Sequence, residues 1–84
     1  MEQRITFFVE EGERTPTGWI LRGAVGHGPV ELGDEFTFVF HQDVSDEELL
    51  TLRVDHLDSG TLLVSTSREV DVRKDDILSG EVDR

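Results

Sequence analysis

The chain has 84 residues, of which 36% are hydrophobic and 32% are charged, so it can form one small domain with a single core. Nineteen acidic residues against eight basic ones give a net charge of −11, which repels phosphate backbones and anionic lipids and argues against general nucleic-acid or membrane-surface binding. No apolar run is long enough to cross a membrane, and the first residues lack the pattern of a signal peptide. The sequence contains no cysteine, which excludes disulfides and thiolate metal sites and favours a cytoplasmic protein.

Apolar and polar residues alternate with period two along most of the chain, which predicts short β-strands. The first strand has Ile5, Phe7 and Val9 on one face, and the charged, turn-forming residues 11–18 after it predict an exposed loop. Further strands are predicted at residues 19–25, 36–41, 50–54, 61–66, 69–72 and 81–82. Between them, residues 26–29 predict a turn, and residues 45–48 have the form of a capping box, which predicts one helical turn within a loop.

Six or seven short strands separated by turns predict an all-β fold, a small closed antiparallel barrel formed by residues 1–84 as one domain. A closed barrel is favoured because closure removes sheet edges that so small a domain cannot cover in another way. The residues expected to point into its core are Phe7, Val9, Leu21, Val25, Val30, Phe36, Phe38, Val54, Leu62, Val64 and Ile77.

One segment carries more than a general β pattern. Residues 23–36, Gly-Ala-Val-Gly-His-Gly-Pro-Val-Glu-Leu-Gly-Asp-Glu-Phe, resemble the glycine–x–Val–x–x–Gly–x–Val–x–x–Gly–Asp–Glu signature of the second, β-barrel domain of translational GTPases such as elongation factor Tu. Residues 70–82 look like the end of that barrel, although Ala24 replaces the arginine that is usual in the family. The resemblance implies a translation-factor barrel as a stand-alone domain. It does not imply GTP hydrolysis, because the chain has no Gly-x-x-x-x-Gly-Lys-Ser/Thr loop.

The signature also assigns structural roles to its turn residues. Gly28 is expected to adopt a positive φ in a tight hairpin, and Gly33 with Asp34 is expected to form the turn before the next strand. Gly23 and Gly80 lie at the spacing that the resemblance requires, and they are expected to serve the geometry of the barrel.

The sequence offers no constellation for catalysis. His27, His41 and His56 lie in different elements without the spacing of metal ligands, and no serine lies in a nucleophile turn. We therefore predict a protein that is not an enzyme and has neither a metal nor a cofactor.

The acidic clusters favour a role in recognition. Glu11, Glu13, Asp46 and Glu47 lie in predicted loops, where they are expected to attract a protein partner with a basic surface. Trp19, the only tryptophan, is either part of the core or an exposed anchor for that partner.

The leading hypothesis is a non-enzymatic binding module, most concretely an immunity or inhibitor protein against a basic toxin or nuclease. The alternative is an accessory or regulatory domain associated with translation. A monomer or weak homo-oligomer is expected.

Overall fold

A computed structural model describes residues 2–83, which contain six β-strands and no helix. The strands are β1 (Glu2–Arg14), β2 (Gly18–His27), β3 (Glu35–His41), β4 (Asp46–Asp58), β5 (Thr61–Ser65) and β6 (Ile77–Asp83). Each strand pairs antiparallel with two neighbours in the order β1-β2-β5-β4-β3-β6, and β6 pairs with β1 to close the barrel. The prediction of an all-β fold with six antiparallel strands is confirmed. Residues 2–83 contain no helix that is long and apolar enough to span a membrane.

Two connections cross the ends of the barrel, because the order of the strands in the sheet departs from their order in the chain. The upper connection, residues 28–34, leads from β2 to β3, and the lower connection, residues 66–76, leads from β5 to β6. Since neighbouring strands are antiparallel, the turns 15–17 and 42–45 lie at the same end as the lower connection. The turn at residues 59–60 lies at the other end, with the upper connection.

The core contains most of the residues that the alternation predicts to be inside. Those predicted correctly are Phe7, Val9, Leu21, Val30, Phe36, Val54, Leu62 and Val64. The upper connection adds Val30, and the lower connection adds Val70 and Val72, so both connections place apolar side chains over the ends of the barrel. Burial of this apolar surface is the main contribution to the stability of so small a fold.

Three predicted core residues lie elsewhere, and a shift of strand register accounts for one of them. The pairing of β3 with β4 shifts between Phe36 and Phe38, so Val39 is fully buried and Phe38 is only half-buried. Ile77 is half-buried because Leu78 takes the inward position at the start of β6. Val25 is 48% exposed, because β5 pairs with β2 only as far as Arg22 and leaves the end of β2 uncovered.

Three local predictions were wrong. The expected loop at residues 11–18 is mostly strand, since β1 continues to Arg14 beyond a register shift between Val9 and Glu11. The helical turn at residues 45–48 is absent, because Ser45 has a positive φ of 52° and β4 begins at the next residue. The strand expected at residues 69–72 is part of the lower connection, where Val70 and Val72 are buried without a strand partner in the described chain.

Of the turns that the signature predicts, one is present in the structure and one is not. Gly33 has a positive φ of 86°, and the Asp34 carboxylate accepts a hydrogen bond of 2.8 Å from the Glu31 amide, so this turn is confirmed. Gly28 is not in the left-handed region, and the prediction of a hairpin there was wrong because β2 and β3 are not paired. Gly28 instead begins the upper connection.

Gly23 and Gly80 lie where two strands approach closely. A Cβ atom on Gly23 would collide with the carbonyl oxygen of Phe8, and one on Gly80 would collide with that of Glu35. Glycine is therefore required at both positions by the packing of the backbone, although Gly23 lies within β2 and Gly80 within β6 and neither is in the turn that was predicted.

Candidate binding surface

The four acidic residues predicted to bind a partner lie on opposite walls of the barrel. Glu11 and Glu13 belong to β1, whereas Asp46 and Glu47 begin β4, and two strands separate β1 from β4 in either direction. The carboxylate of Glu11 lies 3.5 Å from the guanidinium of Arg22, so part of its charge is already compensated. The four acids therefore do not form one surface, and all four lie in strands and not in loops.

Trp19 belongs to the core. It is 8% exposed, and its indole Nε1 donates a hydrogen bond of 3.3 Å to the carbonyl of Val70 in the lower connection. The guanidinium of Arg14 lies 5.3 Å from the centre of the ring, at a distance typical of a cation–π contact. This decides the question that the sequence left open, because an indole enclosed in this way cannot act as an exposed anchor.

An apolar surface lies on the outer face of four neighbouring strands. In antiparallel ladders, directly paired residues point to the same face, and Ile77 pairs with both Phe8 and Phe40. Phe38 pairs with Leu49 in the adjacent row. Leu49 is 81% exposed and Phe8 is 43% exposed, while the others are half-buried. We call this group of five residues the outer patch: Phe8, Phe38, Phe40, Leu49 and Ile77.

The rim of the outer patch is charged. Glu47 pairs directly with Phe40, and Arg4 pairs with Glu81 beyond the other edge of the patch. A shallow depression of about 570 Å³ lies here, lined by Arg4, Thr37, Phe38, Glu47, Ser79, Gly80 and Glu81. Of the predicted binding residues, the structure therefore brings Glu47 next to the outer patch, beside the half-buried Phe40, and leaves Glu11 and Glu13 away from it.

A buried polar pair lies directly behind the outer patch. His41 and Asp76 are 1% and 0% exposed, and His41 Nδ1 lies 2.9 Å from Asp76 Oδ2. The backbone amide of Arg73 donates a hydrogen bond of 2.7 Å to the same oxygen. His41 Nε2 lies 3.5 Å from a carboxylate oxygen of Glu48. Because this pair is enclosed, it is a structural contact that links β3 to the lower connection, and a substrate could not reach it.

The sequence analysis missed this pair for an identifiable reason. Alternation from Phe36 places His41 on the outer face, whereas the shift of register places it inside. His27 lies at the opposite end of the barrel, where its Nδ1 is 3.0 Å from Thr6 Oγ1. Across residues 2–83, no three histidine or carboxylate side chains are grouped so that they could hold one metal ion.

A second contact joins the lower connection to the turn at residues 42–45. The guanidinium of Arg73 lies 2.7 Å from Asp71 and 3.1 Å from Asp43. These two carboxylates, Asp71 more than Asp43, raise the pKa of Arg73 above its usual value, so its charge is retained at any physiological pH. The contact is exposed, and it orients the connection more than it stabilises the fold.

No family model, curated protein or solved structure is significantly similar to this chain. The likeness of residues 23–36 to the translation-factor barrel therefore stays a prediction. What the chain binds has to be inferred from the chemistry of its surface.

Proposed function

We propose that this chain is a non-enzymatic binding module that recognises a protein partner with a basic surface through its outer patch. The observation that carries the proposal is a contiguous group of exposed and half-buried apolar side chains, which includes three phenylalanines, on the outer face of an otherwise highly charged barrel. Monomeric proteins rarely expose such a group without a binding role. Aromatic side chains at the centre of a surface and charges at its rim are typical of protein–protein interfaces.

The charge of the chain supports a basic partner. With a net charge of −11, the barrel attracts cationic proteins over distances of about 10 Å at 0.1 M salt. Glu47 and Glu81 at the rim of the patch are placed to meet lysine or arginine side chains as the apolar groups dock. An inhibitor of a basic toxin or nuclease is the most concrete form of this role, because such a protein must bind a cationic surface tightly.

The size of the barrel is compatible with a stable complex. Its accessible surface is 5250 Å², and an interface of standard size covers about 800 Å² on each partner. Such an interface needs about a seventh of the surface, which the outer faces of β1, β6, β3 and β4 provide. The enclosed position of His41 and Asp76 supports a binding role over a catalytic one, since a substrate could not reach them.

The test uses the partner captured by the immobilised protein from a lysate of the source cell. Association and dissociation are then measured at low and high salt for Leu49→Ser and Glu47→Lys. Because Leu49 is an exposed apolar group of the patch, we expect its replacement to raise the dissociation rate about tenfold. Glu47→Lys should slow association several-fold at low salt and have little effect at high salt.

Two matched variants serve as controls. Leu32→Ser removes an apolar side chain that is 64% exposed in the upper connection, and Glu13→Lys reverses a charge on β1 away from the patch. Neither should change the dissociation rate appreciably. Equal effects of Leu49→Ser and Leu32→Ser would show that the outer patch is not the binding surface.

A further inference from the structure

One strand of the barrel has an unpaired edge. β4 pairs with β3 from Asp46 to Arg53, but its pairing with β5 begins only at Arg53. Beyond Ser65 the chain turns away, and the amide of Thr66 donates to the carbonyl of Thr17. Within the described chain, no strand therefore pairs with residues 46–52 on the side that faces β5. We call this stretch the β4 edge.

An open strand edge is a template for another strand. Its free N–H and C=O groups can form a ladder with an extended segment, and natural proteins usually protect such edges. A depression of about 430 Å³ lies where β5 ends, lined in part by Thr51, Arg53 and Ser65, so space for an incoming chain exists beside the edge. The edge is also continuous with the outer patch, because Leu49 belongs to both.

The charges and the apolar groups of the β4 edge favour some incoming strands over others. Three consecutive acids, Asp46, Glu47 and Glu48, precede Leu49. A second copy of this chain also carries a net charge of −11, and the repulsion between the two copies opposes their pairing. Asp46 and Glu48 pair with buried residues of β3 and lie on the inner face of the strand, whereas Glu47 and Leu49 lie on the outer face. A strand with lysine or arginine opposite the acids and an apolar residue opposite Leu49 would form favourable pairs over residues 46–49.

We infer that the β4 edge accepts an extended segment of the partner, with one apolar residue beside two or three basic residues, as an added strand of the sheet. This inference rests on the proposed function and specifies how the basic partner is held. The main-chain ladder supplies affinity, while Leu49 and the three acids supply selectivity. It also accounts for the placement of Asp46 and Glu47, which begin the strand and do not lie in a loop.

Three synthetic peptides test the inference with the intact protein. The first is acetyl-Thr-Val-Thr-Val-Lys-Lys-Lys-amide, and the second has three glutamates in place of the lysines. The third keeps the first sequence but carries N-methyl groups on alternate residues, which leaves the charge intact and removes the ability to form a ladder. Binding is measured by calorimetric titration, and amide hydrogen exchange locates the bound peptide.

We expect the first peptide to bind at least tenfold more tightly than its N-methylated form and the glutamate peptide not to bind. Exchange should slow in residues 46–52 and remain unchanged in β2, and Leu49→Ser should weaken binding more than Leu32→Ser. Equal binding of the first and third peptides, no binding of either, or protection elsewhere would overturn the inference. The proposed function is judged separately, by the effect of Leu49→Ser on the captured partner, so a surface that recognises the partner without adding a strand would be distinguished.

Discussion

The two ends of the barrel are closed in different ways. At the lower end, residues 66–76 insert Val70, Val72 and the carboxylate of Asp76, all of which are buried. At the upper end, residues 28–34 insert only Val30, and Leu32 remains 64% exposed. A hollow of about 240 Å³ stays open at the upper end and reaches the core side chains of Phe7 and Leu62. A hollow of about 310 Å³ also lies at the lower end, between the turn at residues 15–17 and residues 66–70, but the lower connection buries three side chains where the upper one buries a single side chain. The lower end is therefore the more closely covered of the two.

The difference shows what a closely covered end requires. A segment that crosses the core must find hydrogen-bond partners for its buried backbone groups. The lower connection finds them in β1: the amide of Val9 donates to the carbonyl of Asp76, and the amide of Asp75 donates to the carbonyl of Val9. The Asp76 carboxylate then receives the amide of Arg73 and the His41 ring. The upper connection avoids this requirement by remaining mostly exposed, and we expect it to tolerate substitution better.

The largest effect is expected at the lower end. Asp76→Ala leaves His41 and the Arg73 amide without their acceptor in a buried site, and we expect a loss of about 4 kcal/mol in the free energy of unfolding. Urea unfolding followed by the fluorescence of Trp19 measures it. Asp71→Ala, which removes a carboxylate from an exposed ion pair in the same connection, is the control and should cost far less. Similar losses for both variants would mean that the buried pair contributes nothing specific.

A smaller effect comes from the same substitution made at each end. Val72→Ala removes two methyl groups at the lower end, where Val72 does not line the hollow, and Val30→Ala does so where Val30 lines the upper hollow. We expect about 2.5 kcal/mol for Val72 and about 1.5 kcal/mol for Val30, because water can reach the space at the upper end and a dry cavity remains at the lower one. The two unfolding curves, recorded in urea, give the difference directly. The reverse order would contradict the comparison of the two ends.

The smallest effect concerns the turn of the upper connection. Gly33→Ala places a side chain at a φ of 86°, and we expect a loss of about 1 kcal/mol, since there is open space around the new Cβ and only the backbone is strained. Gly33→Asn should cost less, because asparagine tolerates the left-handed region better than alanine does. Thermal unfolding of the three proteins checks this order. A loss of several kcal/mol for alanine would show that Gly33 is constrained by more than its φ.

Much of the fold could be predicted because the alternation of apolar and polar residues is local. It located all six strands, although β1, β4 and β6 proved longer than predicted, and the Gly33–Asp34 turn followed from the residue types that such a turn needs. The lower connection could not be predicted in this way. Val70 and Val72 alternate as in a strand, but their partners are core residues distant in the chain, and no local pattern separates the two cases.

The sequence by itself determined the all-β class, the positions of the strands and the negative charge that favours a basic partner. Only the tertiary structure decided which apolar residues lie together on the surface. A register shift places Val39 and His41 inside and leaves Phe38 beside Leu49 on the surface. Closure of β6 onto β1 and β3 brings Phe8, Ile77 and Phe40 into one row, although long stretches of chain separate them. Pairing between distant strands depends on how the whole sheet closes, and residue alternation within one strand carries no information about it.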